Sequence, residues 1–163
     1  MFDMDDNVIL QEISFLARFS DSKERKRYAK LLADMKEVSV GKLSDVLAKD
    51  EIDLIRSVVK PKPKMCYKNA FWLTMHMAES KHDIRYCEGM YTYKKCLPIS
   101  HAFNIIDGVY VDITMELALK RDPSSEDYVV FGEYDKDSMW NVANETGVYG
   151  GVYEHTEHME CIL

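Results

Sequence analysis

The chain has little of what would direct it to a membrane, to nucleic acid or to an oxidising compartment. Its 163 residues contain no apolar run of membrane-spanning length. The opening stretch Met1-Phe2-Asp3-Met4-Asp5-Asp6 is acidic where a signal peptide is basic. Lys and Arg number 21 against 28 Asp and Glu, a formal charge of −7. A general binder of phosphate backbones needs the opposite balance. The basic run Lys23-Glu24-Arg25-Lys26-Arg27 is short and interrupted, which suits a solvated helix face. Cysteine is sparse: residues 66, 87, 96 and 161 are irregularly spaced and do not form a disulfide framework. These features together lead us to expect a cytoplasmic protein in which Cys66 stays a free thiol. Internal repeats and low-complexity segments are also lacking, and Gln11 is the only glutamine.

What is present is the make-up of a globular domain, 47% apolar and 30% charged, long enough to bury a core. The first sixty residues read as helices. Ile9, Ile13, Leu16 and Phe19 fall close to helical spacing. Asp21 and Glu24 fit a capped start, after which Tyr28, Leu31, Leu32 and Met35 form one stripe. Two further helical stretches, 43–47 and 52–59, are separated by Lys49-Asp50, with Asp50 as the expected cap. Two short helices joined by a turn could form a DNA-reading unit, but the acidic balance and a non-basic second helix argue against it.

The prolines of Lys60-Pro61-Lys62-Pro63-Lys64 end the helical region and mark a boundary between residues 1–60 and 61–163. Residues 66–79 read as a helix with Cys66, Ala70, Leu73 and Met77 on one face. From Ile84 the period becomes that of a strand. Residues 100–106 and 109–114 read as strands joined by Asp107-Gly108, the strongest hairpin signal in the chain. A short helix at 115–120, a strand at 128–131, a helix at 137–144 and a polar tail after Gly150-Gly151 complete the expected order. The architecture is therefore α+β.

Three residues stand out chemically. Cys66 opens a helix, where unpaired amides and the helix dipole favour a thiolate and offer donors to an oxyanion. Cysteine in isolation is more often a small buried apolar residue. If Asp107-Gly108 fills a two-residue turn, Ile106 faces Val109, and Asp112 lies on the same sheet face as His101, within bridging distance. A turn of odd length would put them on opposite faces. A thiol, an imidazole and a carboxylate in this order can supply a nucleophile, a proton carrier and the group that fixes the imidazole.

Cys66 with Ala70, then Arg85-Tyr86-Cys87-Glu88-Gly89-Met90-Tyr91, His101-Ala102-Phe103-Asn104 and Val111-Asp112-Ile113-Thr114, resembles the transglutaminase-like branch of the papain-like cysteine enzymes. The likeness spans residues 64–115, about a third of the chain, and is strongest to small members encoded by bacteria and tailed phages. It implies a papain-like core, a Cys-bearing helix on an antiparallel sheet, with an N-terminal helical extension. It also implies a Cys66–His101–Asp112 triad acting on an amide as peptidase, isopeptidase, deamidase or transglutaminase, in a host cytoplasm for a phage protein. A protein or peptide substrate is implied, with no cofactor, metal, nucleic acid or membrane; the oligomeric state is open.

The chain departs from the papain pattern in one respect: Lys60 stands where an oxyanion-hole glutamine often precedes the cysteine. Backbone N–H of Cys66 is then one donor, with Asn69, Asn104 and Tyr67 as candidate partners. The departure keeps open a second reading, a catalytically silent protein-binding module on the same scaffold. Glu88 either lines the cleft or, as the plainer expectation, is solvated beside a bend at Gly89. His155, His158 and Cys161 are acceptable zinc ligands but lack a second pair, so a polar tail is favoured. Cys87 and Cys96 lack the paired spacing of a zinc site, and Asp3, Asp5 and Asp6 lack the rest of a calcium loop. Tyr86, Tyr91 and Tyr93 suit sheet packing.

Overall fold

The computed structural model describes residues 7–159. The acidic cluster at residues 3–6 and Cys161 lie outside them. The chain forms α1 (Val8–Phe19), α2 (Ser22–Asp34), β1 (Lys36–Val38), α3 (Lys49–Val58), α4 (Cys66–His76), β2 (Ile84–Tyr93), β3 (Leu97–Ile106), β4 (Val109–Val111), β5 (Tyr128–Tyr134), α5 (Lys136–Thr146) and α6 (Val152–Thr156). The strands make one antiparallel sheet in the order β1-β5-β2-β3-β4. After β1 the chain crosses to the far edge, where Val40 bridges Tyr110 and the Gly41 amide donates to the Tyr110 carbonyl at 2.8 Å. The sheet therefore curls toward closure. Among the described residues no helix is long and apolar enough to cross a membrane.

The α+β reading holds, with local corrections. Asn7 and Asp21 cap α1 and α2 through their side-chain oxygens. The cap position of α3 is Ala48 rather than Asp50; Glu51 reaches back to the Ala48 amide at 3.0 Å. β1 interrupts a region expected to be all helix. Three residues directly after a helical stripe are too few to show strand alternation, and it is pairing with β5 that makes them a strand. The N-terminal helices also share a core with the rest of the chain. Ile9, Ile13 and Leu31 pack with Met90, Val129 and Tyr153, while Leu43 and Ile55 pack with Leu73, Ile106 and Val111.

The hairpin positions the site. Asp107 and Gly108 take φ of 50° and 82°, both in the left-handed region that a two-residue hairpin turn demands. The register follows: Ile106 faces Val109 and Asn104 faces Val111. Along β3, Ala102, Asn104 and Ile106 turn toward α4, while His101, Phe103 and Ile105 turn into the curl beside Cys87 and Tyr128. β4 stops at Val111, three residues before the expected end. The Asp112 side chain accepts the Met115 amide at 3.1 Å and starts the wide helical turn Thr114–Ala118.

Candidate active site

His101 is 5% exposed and Asp112 0%. The two meet through His101 Nε2 and Asp112 Oδ2 at 2.6 Å, and the Cys66 thiol lies near enough to the imidazole to help raise its pKa. Because Nε2 is committed to Asp112, Nδ1 is the nitrogen left for the thiol. Cys66 is the first residue of α4, half-buried and free of any disulfide. The structure thus brings together all three residues that the sequence singled out.

Charge at this site is set by burial working against pairing. Burial opposes an imidazolium at His101, but the Asp112 carboxylate and the contact with Cys66 outweigh it and push the pKa up to about 10. Burial likewise opposes a charge on Asp112. His101, the Tyr128 hydroxyl at 2.7 Å and the Met115 amide together hold it below the usual carboxylate range. Tyr128 donates to the same oxygen that His101 uses. Burial and the neighbouring Asp112 raise its own pKa, so the phenol keeps its proton and remains a donor. Sequence reasoning placed Tyr128 on a strand but missed this role, since a tyrosine opening a strand carries no motif. Tyr91 lies against the His101 ring at 4.5 Å between centroids.

Gly89 faces His101 on β2. A β-bulge between Glu88 and Gly89 carries the β5 backbone so close that a Cβ here would lie 1.9 Å from the Val129 carbonyl oxygen. Glycine is required at this position.

Of the candidate auxiliary residues, two are structural. The Asn69 amide group donates to the Lys62 carbonyl at 2.9 Å and to Thr114 Oγ1 at 2.9 Å, and its oxygen accepts the Lys62 amide. It therefore clamps the proline linker and has no proton left for an oxyanion. Asn104 Nδ2 shares its two protons among the Ala70 carbonyl, Thr74 Oγ1 and the Arg85 carbonyl, fastening α4 to the sheet. Glu88 neither lines the cleft nor is solvated. It is 3% exposed, takes the Val152 and Tyr153 amides at 3.2 and 2.8 Å, and accepts the Tyr86 hydroxyl. Strand alternation alone does not tell which face is covered, and the covering element, α6, lies 64 residues away. Tyr67 stays beside the thiol. Burial first, then Glu88 and Cys66, raise its pKa and keep it protonated.

Met65, like Ala48 at α3 and Gly151 at α6, offers no side-chain oxygen to cap its helix, and its φ of −118° and ψ of 34° depart from the extended geometry at Asn7, Asp21, Ala48 and Asp135. No side chain caps the first turn of α4, so its leading amides lack a side-chain acceptor.

The remaining expectations are resolved by position. Cys87 is buried against Phe103, and desolvation raises its thiol pKa well above the ordinary value. Cys96 is exposed. His155 pairs with Glu145 at 2.7 Å, and the tail around it forms α6, with Val152 and Tyr153 buried. Among the described residues no group of three or more His, Cys, Asp or Glu is arranged to hold a metal ion. Tyr86 is buried and Tyr93 is exposed. No family model, curated protein or solved structure matches this chain.

Proposed function

We propose that this protein is a thiol-dependent amide hydrolase or acyltransferase on a papain-like, transglutaminase-like core. The observation that carries the reading is the buried His101, bonded through Nε2 to Asp112 at 2.6 Å and close enough to Cys66 for the thiol to raise its pKa. An imidazole kept charged by a buried carboxylate stabilises a thiolate next to it, and a thiolate at an uncapped helix start is placed to attack.

In the proposed reaction Cys66 Sγ adds to the amide carbonyl carbon. The oxygen that becomes negative is met by the free amides of the first turn of α4 and by the Tyr67 hydroxyl. His101 passes its proton to the departing nitrogen as the C–N bond breaks, leaving a thioester on Cys66 and a neutral imidazole. Water or an amine then adds to the thioester and gives its proton to His101. The C–S bond breaks, releasing an acid or a new amide and restoring the ion pair. Asp112, held by Tyr128, fixes the ring throughout.

The test is labelling by a neutral thiol-directed electrophile with the modified residue mapped. Modification confined to Cys66, and lost in Cys66→Ala with an unchanged melting curve, supports the reading. Equal labelling of wild type and Cys66→Ala, or labelling only at Cys87, Cys96 or Cys161, refutes it and favours a silent binding module.

A further inference from the structure

We propose that a subsite for acidic groups adjoins Cys66, so that the substrate is a peptide or protein segment rich in Asp or Glu near the bond attacked. This rests on the reading of Cys66 as the nucleophile. A cavity of about 450 Å³ lies between the proline linker and the first turn of α4, lined by Val59, Lys60, Lys62, Met65, Lys68 and Asn69. Met65 directly precedes Cys66, and Asn69 follows it by three residues, so the cavity adjoins the helix turn that carries the thiol, although Cys66 itself does not line it. Half of its lining side chains are cationic and none is anionic.

The lining is cationic in a chain of net charge −7. Lys30, Lys36, Lys42, Lys95, Lys136, Arg27, Arg56 and Arg121 pair with carboxylates; what sets Lys60, Lys62 and Lys68 apart is that they face one cavity with no carboxylate in its lining. Lys60, Lys62 and Lys68 form no ion pair among the described residues; Lys68 only lies over the Tyr149 ring, at 6.0 Å. Cations of like charge lining one concavity repel one another, and an anionic occupant relieves that repulsion.

The cavity wall is also pre-shaped. Lys60 in the lining and Lys64 in the same linker take φ of 53° and 62°, left-handed conformations that non-glycine residues rarely adopt. The linker holds them because Pro61 and Pro63 restrict it and Asn69 grips both backbone groups of Lys62. Three lysines rather than arginines suit carboxylates met as point charges. The lining contains no aromatic face on which a nucleobase could stack, which favours an acidic peptide over a nucleic acid.

The test uses two isosteric probes on the full chain, chloroacetyl-Glu-Glu-amide and chloroacetyl-Gln-Gln-amide. With either, Cys66 Sγ forms a C–S bond as chloride leaves. The acidic probe is expected to modify Cys66 about tenfold faster. That ratio should fall toward one in 0.5 M NaCl and in the triple variant Lys60→Gln/Lys62→Gln/Lys68→Gln, whose three exposed side chains can be replaced without loss of core contacts. A wild-type ratio near one, or a ratio that survives in the triple variant, overturns the acidic subsite while leaving Cys66 as the nucleophile. If oligo-deoxythymidine protects Cys66 better than polyglutamate of equal charge, the occupant is nucleic acid and the proposal fails. If neither probe reaches Cys66, the nucleophile reading itself falls, a result distinct from all the others.

Discussion

At the start of α6 the amides of Val152 and Tyr153 end on the buried Glu88 carboxylate, at 3.2 and 2.8 Å. At the start of α4 the amides of Cys66, Tyr67 and Lys68 meet no side-chain oxygen, and the linker before them holds two left-handed lysines. Both helices dock on the same sheet, and both starts lie close together, since Gly150 packs against the Tyr67 ring. One positive helix end is neutralised by a carboxylate spent on packing. The other is left open beside a thiol and an imidazole. A helix start that lacks a side-chain cap gives up roughly 1 kcal/mol of stability, and at α4 the loss falls beside the cluster of Cys66, His101 and Asp112.

If the two ends differ in this way, changes around α4 should move rate and changes around α6 should move stability. Asp112→Asn is expected to have the largest effect. It keeps the shape but removes the charge that holds His101 protonated, and should lower the rate of amide cleavage, or of Cys66 alkylation at pH 7, by about 10³–10⁴-fold. A loss under tenfold would mean that Asp112 only positions the chain through its bond to Met115. Glu88→Ala should act in the opposite sense. Removing a carboxylate that satisfies two buried amides and a phenol should cost about 3 kcal/mol in urea unfolding. Amide exchange at 152–156 should rise, while Cys66 alkylation in the folded protein stays close to wild type.

Tyr67→Phe is predicted to be milder, removing one donor to the developing oxyanion while the α4 amides remain. We expect kcat to fall about 10- to 100-fold with KM little changed. A shift in KM alone would assign Tyr67 to binding. The smallest effect is expected at His82, remote from both helix starts, where Nδ1 meets Asp107 and Nε2 meets Glu51, each at 2.6 Å. Those two carboxylates raise its pKa above the ordinary 6.5. Its contribution to stability is therefore full below the unfolded value and is lost as pH rises through the raised one. His82→Gln should cost no more than about 1 kcal/mol at pH 6, with the gap to wild type narrowing by pH 9 in parallel urea titrations. A gap that widens with pH would show the sign to be wrong.

The part of this design that could be read from the sequence was the part carried by local chemistry. Asp107-Gly108 dictates a two-residue turn, the turn dictates that Ile106 faces Val109, and that register puts Asp112 on the face of His101. The helix beginning at Cys66 followed from two prolines and an apolar stripe. What escaped depended on distant partners. Glu88 looked solvated because the α6 amides that bury it come much later in the chain. Asn69 and Asn104 looked like free donors because the carbonyls that occupy them belong to the linker, α4 and β2. Tyr128 gave no hint that its hydroxyl ends on Asp112. β1 was hidden because three residues carry too little pattern to compete with the helix before them.

The central claim is that His101 is a buried imidazolium, held by Asp112 on one nitrogen and by Cys66 on the other, and nitrogen NMR of histidine-labelled protein tests it most directly. With its pKa pushed up to about 10, both His101 ring nitrogens should carry protons at pH 8, and in Asp112→Asn the ring should become neutral at the same pH. A wild-type ring carrying one proton at pH 8 and titrating near 6.5 would contradict the account.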